Sequence, residues 1–387
     1  MFNVLFNINI GLNMLFIRIL ILNYCFLLLT KSVSAKTVYT PFDTQGLFVV
    51  NFTIGNQLCS ARMDQSNTEI CFYLDTYNVS KAIQPNVISS RTFSTGPGAI
   101  VIQEREDVFG FINSTEQFTV RFVHIKLLPI QINASVIFGF GYSSNKNTSF
   151  TLQLYDKKII DYPQYTIIPS YSSTEGRLYF GSIANTILKG MKYKGYCDIV
   201  SNTMASWQCD LKYVSYGGTS FNASNYSLVF NVKEKFIFVP ENFYLFLERE
   251  VLHPLINNKH CSTMGYIFCD CDEIQRLPNL VFHIAEFDYQ FKVSYLFSKP
   301  TNENNKCFLE VEIDHTTWKA QTFRIGSNLM KYFITTYDFK EKRVTLYSDN
   351  IHIKSNAPSY EKIYYRITIT LLSIGVLNLL YIMLHLK

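Results

Sequence analysis

The sequence predicts an all-β protein that folds outside the cytosol. Short runs of aromatic and β-branched residues, separated by Gly, Asn and Pro, indicate many short strands, as in a sandwich or barrel. Aromatic residues make up 16% of the chain, and long stretches with helical periodicity are scarce. Eight of the nine cysteines lie beyond residue 35, an even number that indicates disulfide bonds in an oxidising compartment.

The positions of the strands follow from these runs. Strands are predicted at residues 47–54, 117–130, 151–155, 177–180, 228–230, 281–284, 308–313 and 343–347. Gly55-Asn56 follows the first of them as a hairpin turn. One helix is predicted from Pro240 to Val251, with the proline in its first turn, where a missing N–H is tolerated.

Residues 1–35 are predicted to be a signal peptide. An apolar stretch runs from Leu15 to Leu29, with Arg18 near its start, and the short side chains of Val33-Ser34-Ala35 follow it. An apolar run of this length with a small-residue exit is typical of a cleaved signal. An uncleaved membrane anchor is the alternative, because two polar residues interrupt the stretch.

Residues 367–386 are predicted to form a transmembrane helix after a juxtamembrane linker at 351–366. An apolar run of about 20 residues is long enough to cross a bilayer core. We therefore expect a single-pass type I membrane protein of the secretory pathway or cell surface. A lipid (GPI) anchor is the alternative, because Ser355-Asn356-Ala357, a polar spacer and an apolar tail have the layout of that signal. Lys387 at the end of the tail favours the spanning helix.

The mature chain keeps enough cysteines for up to four disulfides. Proximity along the chain suggests the pairs Cys59–Cys71, Cys197–Cys209 and Cys261–Cys269. A zinc site formed by His260 and the cysteines at 261, 269 and 271 is the alternative. It is disfavoured because Cys-x-Cys is not a usual zinc spacing and the compartment favours disulfides. We expect no metal.

Surface and partners follow from the sequons and the charge. Seven Asn-x-Ser/Thr sequons predict glycosylation on exposed segments: Asn51, Asn78, Asn113, Asn133, Asn147, Asn222 and Asn225. The net charge of +5 is spread thinly, without a basic run. No nucleic-acid partner is expected for a secretory protein with this charge pattern.

The two halves of the chain contain similar segments. In the first half a strand ends at Met63-Asp64-Gln65-Ser66, and a later apolar stretch ends at Ile137-Phe138-Gly139. In the second half a strand ends at Val229-Phe230-Asn231-Val232, and a later stretch ends at Arg324-Ile325-Gly326. This repetition predicts a duplicated lobe.

These segments resemble the pepsin-like (A1) aspartic proteases over nearly the whole of residues 40 to 350. The resemblance lies in seven segments taken together in order and spacing: Val136–Tyr142, Gly176–Ala184, Ser206–Gln208, Cys271–Ile284, Arg324–Asn328, Tyr332–Asp338 and Val344–Leu346. It implies a bilobal fold with a central cleft, an N-terminal lobe at 36–185 and a C-terminal lobe at 186–350. It also implies a Cys271–Cys307 disulfide and no cofactor.

In this family each lobe supplies one aspartate from an Asp-Thr/Ser-Gly turn, and the two carboxylates share one proton. Asp64 matches the first aspartate, within Asp64-Gln65-Ser66. Asn231 stands at the position of the second, within Asn231-Val232-Lys233. Because an amide cannot act as a carboxylic acid, the resemblance implies a broken dyad. Glu234 would need a rebuilt turn to replace it.

Other parts of the family's machinery are also altered. Phe93, Thr95 and Gly96 fall in the flap-like segment, where we expect substrate contacts, but Phe93 lacks the hydroxyl of the family's flap tyrosine. That hydroxyl would bond a tryptophan whose position is Cys71 here. Little room remains between Ala35 and Leu47 for an inhibitory pro-segment.

Three functions are consistent with the sequence. The first is a membrane-anchored pseudoprotease that binds a peptide or protein in the interlobe cleft. The second is an active, divergent aspartic endopeptidase that uses Asp64 with an unidentified second acid. The third is a structural surface glycoprotein that uses the fold only as a scaffold. The broken dyad favours the first.

Overall fold

The fold is described from a computed structural model. It describes residues 38–44, 47–84, 86–95, 98–112, 114, 116–128, 136–170, 175–182, 187–188, 191, 193–200, 206–264, 266–299, 305–315 and 321–347. The predicted signal peptide, linker and C-terminal anchor lie outside these residues. Among the residues described, no helix is long and apolar enough to cross a membrane.

Most of the described chain is β-strand, so the all-β prediction is confirmed. The strands of the first half are β1 (Val38–Asp43), β2 (Val49–Ile54), β3 (Gln57–Asp64), β4 (Ile70–Tyr73), β5 (Asn86–Thr95), β6 (Gly98–Phe111), β7 (Gln117–Leu128), β8 (Val136–Gly139), β9 (Gln164–Ile168) and β10 (Glu175–Phe180). Those of the second half are β11 (Tyr193–Asp198), β12 (Gln208–Tyr216), β13 (Thr219–Phe230), β14 (Ile237–Val239), β15 (Cys261–Met264), β16 (Tyr266–Asp270), β17 (Asn279–Ile284), β18 (Phe287–Lys292), β19 (Phe297–Ser298), β20 (Lys306–Leu309), β21 (Val311–Ile313), β22 (Thr322–Ile325), β23 (Ile334–Asp338) and β24 (Arg343–Tyr347).

The helices are short. They are α1 (Phe150–Asp156), α2 (Glu241–Leu247), α3 (His253–Asn257), α4 (Cys271–Gln275) and α5 (Ser327–Met330), with a π turn at Glu248–Leu252 and 3-10 turns at Leu74–Thr76, Val79–Lys81 and Val293–Leu296. The helix predicted from Pro240 begins one residue later, because Pro240 is extended and caps α2. The π turn then continues α2 into α3.

The strand predicted at residues 151–155 is wrong, because this segment forms α1. The Ser149 hydroxyl caps the helix by accepting a hydrogen bond from the Leu152 amide at 3.4 Å. Phe150 and Leu154, four residues apart, are both buried in the core. This helical spacing of the buried side chains prevails over the β propensity of the segment.

The two halves share one sheet. A 13-stranded sheet runs in the order β11-β24-β23-β9-β10-β1-β2-β3-β8-β4-β7-β6-β5, so that β11, β23 and β24 of the second half extend the first. A seven-stranded sheet, β18-β17-β12-β13-β22-β14-β21, and a four-stranded sheet, β15-β16-β20-β19, complete the second half. The predicted boundary between residues 185 and 186 stays a prediction.

The same strand arrangement occurs once in each half. In the first, β3 pairs parallel with β8, β8 antiparallel with β4, and β4 parallel with β7. In the second, β13 pairs parallel with β22, β22 antiparallel with β14, and β14 parallel with β21. The candidate site residue stands at the end of the first strand of this set in each half, as the last residue of β3 (Asp64) and the residue after β13 (Asn231).

Aromatic side chains fill the core and join the halves. Phe52 and Phe109 stack at 5.0 Å in the first half, and Phe243 meets Phe323 at 4.8 Å in the second. At the junction the Trp207 indole donates a hydrogen bond to the Phe140 carbonyl at 2.7 Å. This buried bond ties the start of the second half to the segment next to the Asp64 turn.

Candidate functional site

The first candidate turn begins at Asp64, the last residue of β3. The parallel register aligns Asp64 with Gly139, and the Asp64 carbonyl accepts a hydrogen bond from the Phe140 amide at 2.8 Å. Position 139 needs glycine, because a Cβ there would lie 2.3 Å from the Glu69 carbonyl oxygen. The turn after Asp64 can therefore pass directly against β8.

The Asp64 carboxylate is fully buried and is held by its own turn. Oδ1 accepts hydrogen bonds from the Ser66 amide at 2.8 Å and the Ser66 hydroxyl at 2.5 Å. Oδ2 accepts one from the Asn67 side-chain amide at 2.8 Å. The resemblance places glycine at position 66, and glycine has no side-chain donor. The Ser66 hydroxyl therefore gives the Asp64 carboxylate one hydrogen bond that the family's turn lacks.

The second turn begins at Asn231, directly after β13, and repeats this geometry. The Asn231 backbone amide donates a hydrogen bond to the Ile325 carbonyl at 2.9 Å. A Cβ at Gly326 would lie 2.0 Å from the Phe236 carbonyl oxygen, so glycine is required here as well. Asn231 is buried, and its Oδ1 accepts a hydrogen bond from the Lys233 amide at 3.2 Å.

Gln65 joins the two turns. Its Oε1 accepts a hydrogen bond from the Val232 amide at 2.8 Å, and its Nε2 donates to the Tyr337 hydroxyl at 3.3 Å. All three residues are fully buried. The resemblance assigns the bracing of the two turns to small hydroxyl residues; here one longer amide side chain makes the contact between the lobes.

Lys233 makes a second contact between the turns, which the sequence did not indicate. Its ammonium Nζ lies 3.1 Å from the Asp64 Oδ2, and the lysine side chain is 45% exposed while the aspartate is 0% exposed. The lysine stem therefore reaches in from the surface and covers the carboxylate with its charged end. Lys233 stands two residues after Asn231, within the same turn.

These contacts limit what Asp64 can do chemically. A carboxylate offers about four lone-pair sites. This one faces four donors: the Ser66 backbone amide, the Ser66 hydroxyl, the Asn67 side-chain amide and the Lys233 ammonium. General base catalysis needs a carboxylate oxygen within hydrogen-bond reach of the water that it activates. Asp64 has no exposed surface for that water.

Glu234, the nearest acid in sequence to Asn231, points to a different partner. Its Oε2 lies 3.3 Å from the Nε of Arg324. The same guanidinium lies 3.3 Å from the buried Asp314 carboxylate and 4.5 Å from the Phe238 ring centroid. Glu234 therefore belongs to an ion-pair cluster on β22 and the neighbouring strands.

The flap-like segment is the hairpin of β5 and β6. Phe93 pairs with Ile100 and Thr95 with Gly98 across it, while Gly96 lies outside the described residues. The Phe93 side chain is 51% exposed, so its ring is available to a ligand.

Cys71 stands at the position of the family's tryptophan. Burial, and after it the negative charges of Glu69 and Asp64, raise the pKa of the Cys71 thiol to about 12, while the positive charge of Lys233 opposes this shift.

A polar cavity of about 140 Å³ lies beside the Asp64 turn. Glu69, which follows that turn, and Glu104 on β6 line it together with Arg121. Burial, and then the negative charge of Glu104, raises the pKa of Glu69. This cavity therefore contains an acid that ionises less readily than an exposed glutamate.

Three disulfides are formed: Cys197–Cys209, Cys261–Cys269 and Cys271–Cys307. They close loops with sequence separations of 12, 8 and 36 residues. The predicted zinc alternative is wrong, because the sulfurs of Cys261, Cys269 and Cys271 are consumed in these bonds. The His260 Nδ1 lies 3.4 Å from the Asp270 carboxylate.

The predicted Cys59–Cys71 disulfide is wrong, because both residues are free, buried thiols. Cys59 lies on β3 and Cys71 on β4, and β8 separates these strands in the sheet. Their side chains also belong to different apolar clusters. A disulfide needs Cα atoms within about 7 Å, which two strands separated by a third do not provide.

The sequons that the structure describes are exposed. They are Asn51, Asn78, Asn147, Asn222 and Asn225. Asn113 and Asn133 lie outside the described residues. Attachment of a sugar to these side chains stays a prediction.

Two glycine-backed turns, each at the end of a parallel strand pair and joined across two β lobes, define a protein of the aspartic peptidase class. A model of the eukaryotic aspartyl protease family matches residues 108–348, more than half of the chain. The chain therefore belongs to this family. The matched residues include the Asn231 turn, and Asp64 precedes them. A search of curated proteins found no match.

Proposed function

We propose that this protein is a pepsin-like aspartic peptidase homologue without proteolytic activity, which binds a peptide or protein segment in the cleft between its lobes. The Lys233–Asp64 contact carries this proposal, together with Asn231 at the second aspartate position. An aspartic dyad works because two adjacent carboxyl groups share one proton and hold a water between them. Here the first carboxylate meets an ammonium group instead.

The losses at the two turns act together. The Asn231 amide cannot take up or release a proton as a carboxyl group does. The remaining carboxylate is buried and surrounded by donors, so an approaching water would have to displace one of them. Because dyad members act as a unit, these changes remove most of the transition-state stabilisation.

Ligand binding is supported by the parts that are retained. The Gln65–Val232 bond keeps the two turns joined at the base of the cleft. The β5–β6 hairpin extends from the first lobe with Phe93 half exposed. An exposed aromatic side chain on a hairpin is a suitable contact for an extended peptide.

The absence of proteolysis is tested with the full chain at acid pH and a diverse peptide library. The parent and the near-isosteric Asp64→Asn variant are compared after both are shown to be folded by their melting curves. We expect no cleavage by either protein. Cleavage by the parent that a statine-type inhibitor blocks, and that Asp64→Asn abolishes, would establish an active divergent endopeptidase instead.

Peptide binding is tested by capture from the same library, using Phe93→Ala and a matched control. Tyr39→Ala is suitable as the control, because Tyr39 is 50% exposed and Phe93 51%, while Tyr39 lies on β1. We expect captured peptides to be lost from Phe93→Ala and kept by Tyr39→Ala. Equal capture by both variants, or none by the parent, would favour a purely structural glycoprotein.

We further propose that a signal peptide at 1–35 directs the chain to the secretory pathway and that residues 367–386 anchor it in the membrane. The support is the apolar character of both segments. The test is membrane fractionation of cells that express the full chain, with phospholipase C treatment of the membranes. Retention after treatment supports the spanning helix, release supports a lipid anchor, and a chain found only in the soluble cytosolic fraction contradicts both.

A further inference from the structure

A second cavity lies at the β11 end of the 13-stranded sheet. Its volume is about 320 Å³, at the lower end of the range for small-ligand pockets. Strands β9, β11, β23 and β24 contribute its walls, so it is built at the place where the two halves share a sheet. Four tyrosines line it: Tyr162, Tyr193, Tyr196 and Tyr347.

The cavity is on the opposite face of the sheet from the paired turns. Tyr337 on β23 points into the core, where its hydroxyl meets Gln65. Its neighbours Thr336 and Asp338 line the cavity, because successive side chains of a strand point to opposite faces. A ligand bound here would not compete with a peptide in the cleft.

The lining is aromatic and polar at once. Every residue that lines the cavity carries a polar side-chain group, and none is aliphatic. Tyr193 and Tyr196 are 52% and 42% exposed. The Tyr193 and Tyr347 rings meet edge to face with centroids 6.1 Å apart. A purely apolar ligand would leave these hydroxyl, carboxylate and amide groups without partners, so such a ligand is a poor fit.

The charged groups of the lining disfavour ionic ligands. The Arg343 guanidinium lies 4.1 Å from the Tyr196 ring centroid and 3.3 Å from the Asp198 carboxylate, so it already has both an aromatic and an anionic partner. A cationic ligand would find this ring face occupied. An anionic ligand would meet the carboxylates of Asp338 and Glu341.

Accessible hydrogen-bonding groups lie in the same lining. The Arg343 side chain is 31% exposed, so part of its guanidinium can donate to a ligand. The Glu341 side chain is exposed and adds an acceptor. Asp338 accepts a hydrogen bond from the Tyr162 hydroxyl at 3.2 Å, which orients that ring. The cavity lining therefore combines tyrosine rings with a partly exposed guanidinium and an exposed carboxylate.

We propose that this cavity binds a neutral saccharide. A sugar ring presents C–H groups on its faces, which stack on tyrosine rings, and hydroxyl groups at its edge, which both donate and accept hydrogen bonds. Glu341 accepts from such hydroxyls and the exposed part of the Arg343 guanidinium donates to them. The proposal is independent of the peptide cleft, so substitution of Asp64 leaves it unchanged.

The test is a glycan array probed with the full chain after enzymatic removal of its own N-linked sugars. The array holds neutral, amino and acidic glycans. We expect retention on neutral glycans, with affinity about tenfold weaker in Tyr193→Ala, as for loss of one ring contact, and weaker in Glu341→Gln. Tyr266→Ala is the control, because Tyr266 is 63% exposed and lies on β16. All variants are first shown to melt as the parent does.

Competition distinguishes the two sources of such a ligand. Inhibition by a free oligosaccharide indicates a site for soluble sugar, whereas inhibition only by an intact glycoprotein, lost after glycosidase treatment, indicates a glycan on a partner; either result supports the proposal. No retention on any glycan, equal retention by Tyr193→Ala and the parent, or preference for acidic glycans would overturn it. Binding of proline-rich peptides alone would assign the cavity to a different class of ligand.

Discussion

The Lys233 ammonium lies 3.1 Å from the buried Asp64 carboxylate, so the second half of the chain contacts the first at this point. In a working dyad this carboxylate would face a second carboxyl group and a water. The lysine reaches the carboxylate from the surface, so this ion pair joins the Asp64 turn to the Asn231 turn. An ion-pair partner of this kind offsets the cost of burying a carboxylate away from water.

Removal of the Lys233 charge is expected to destabilise the fold. Lys233→Met keeps most of the stem but leaves Asp64 without its ion-pair partner, so we expect a loss of about 1–2 kcal/mol in the free energy of unfolding, reduced from fully buried cases because Lys233 is half exposed. Denaturant titration near neutral pH measures it. Lys212→Met is the control, since Lys212 pairs with the exposed Glu286 at 2.9 Å. Similar losses in both variants would contradict a special role for Lys233.

Loss of the Gln65 side chain is expected to lower the free energy of unfolding by more than the net value of one ordinary hydrogen bond, because two buried groups lose a partner. Gln65→Ala leaves the buried Val232 amide and Tyr337 hydroxyl without their partner, so we expect a loss of about 1–3 kcal/mol in the free energy of unfolding. Tyr337→Phe removes one hydroxyl but keeps the Gln65–Val232 bond, and should cost less. A larger loss in Tyr337→Phe than in Gln65→Ala would show that the bridge does not join the lobes.

Much of the fold and the frame of the site could be predicted from the sequence, because backbone geometry restricts residue choice there. Gly139 and Gly326 occupy positions where any Cβ would meet a carbonyl oxygen. An apolar–apolar–glycine segment therefore indicates that the backbone of a site turn passes close to that glycine. Asp64 ends β3 and Asn231 directly follows β13, the two strands next to these glycines. Their structural equivalence is therefore visible in the sequence pattern.

Side-chain contacts between distant segments were not predictable. Lys233 and Asp64 meet only because the two halves of the chain pack together, and the lysine has no local pattern that indicates a partner. Gln65 looks in sequence like the loss of a brace, yet its longer side chain reaches the Val232 amide. The Cys59–Cys71 prediction failed for the related reason that β8 inserts between strands that are neighbours in sequence.

Two free thiols are expected, and both should be unreactive in the native protein. Burial raises the pKa of Cys59 to about 11 and that of Cys71 to about 12, so little thiolate is present near neutral pH. Alkylation without reductant, followed by mass spectrometry, should label neither cysteine in the native chain and both after denaturation. Failure to label them after denaturation would indicate that they form a fourth disulfide.

The disulfides are expected to differ in their contribution to stability according to the loop that each closes. Cys271–Cys307 spans 36 residues and Cys261–Cys269 spans 8. Chain entropy predicts losses of about 4 kcal/mol and about 2–3 kcal/mol when each pair is replaced by alanine. Thermal unfolding of the two double variants measures the difference. A larger loss for the shorter loop would show that packing around the sulfurs dominates over loop closure.

Glu69 is expected to make stability depend on pH in the acid range. Burial and the nearby Glu104 raise its pKa in the folded state, so the folded protein holds this proton more tightly than the unfolded chain. The resulting stabilisation is fully present below the ordinary glutamate pKa and is lost as the pH rises through the folded-state pKa. At neutral pH the folded protein therefore bears the cost of an ionised carboxylate that is partly buried beside another acid.

Glu69→Gln removes that cost while keeping the shape of the side chain. We expect a higher melting temperature than the parent at about pH 7, and a difference that shrinks as the pH falls to about 4, near the ordinary pKa of a glutamate. Glu116→Gln, at an exposed position, is the matched control for the change in net charge. A gain in Glu69→Gln that persists unchanged at about pH 4, or an equal gain in Glu116→Gln, would contradict this assignment, because ionisation of a buried Glu69 would then not be its cause.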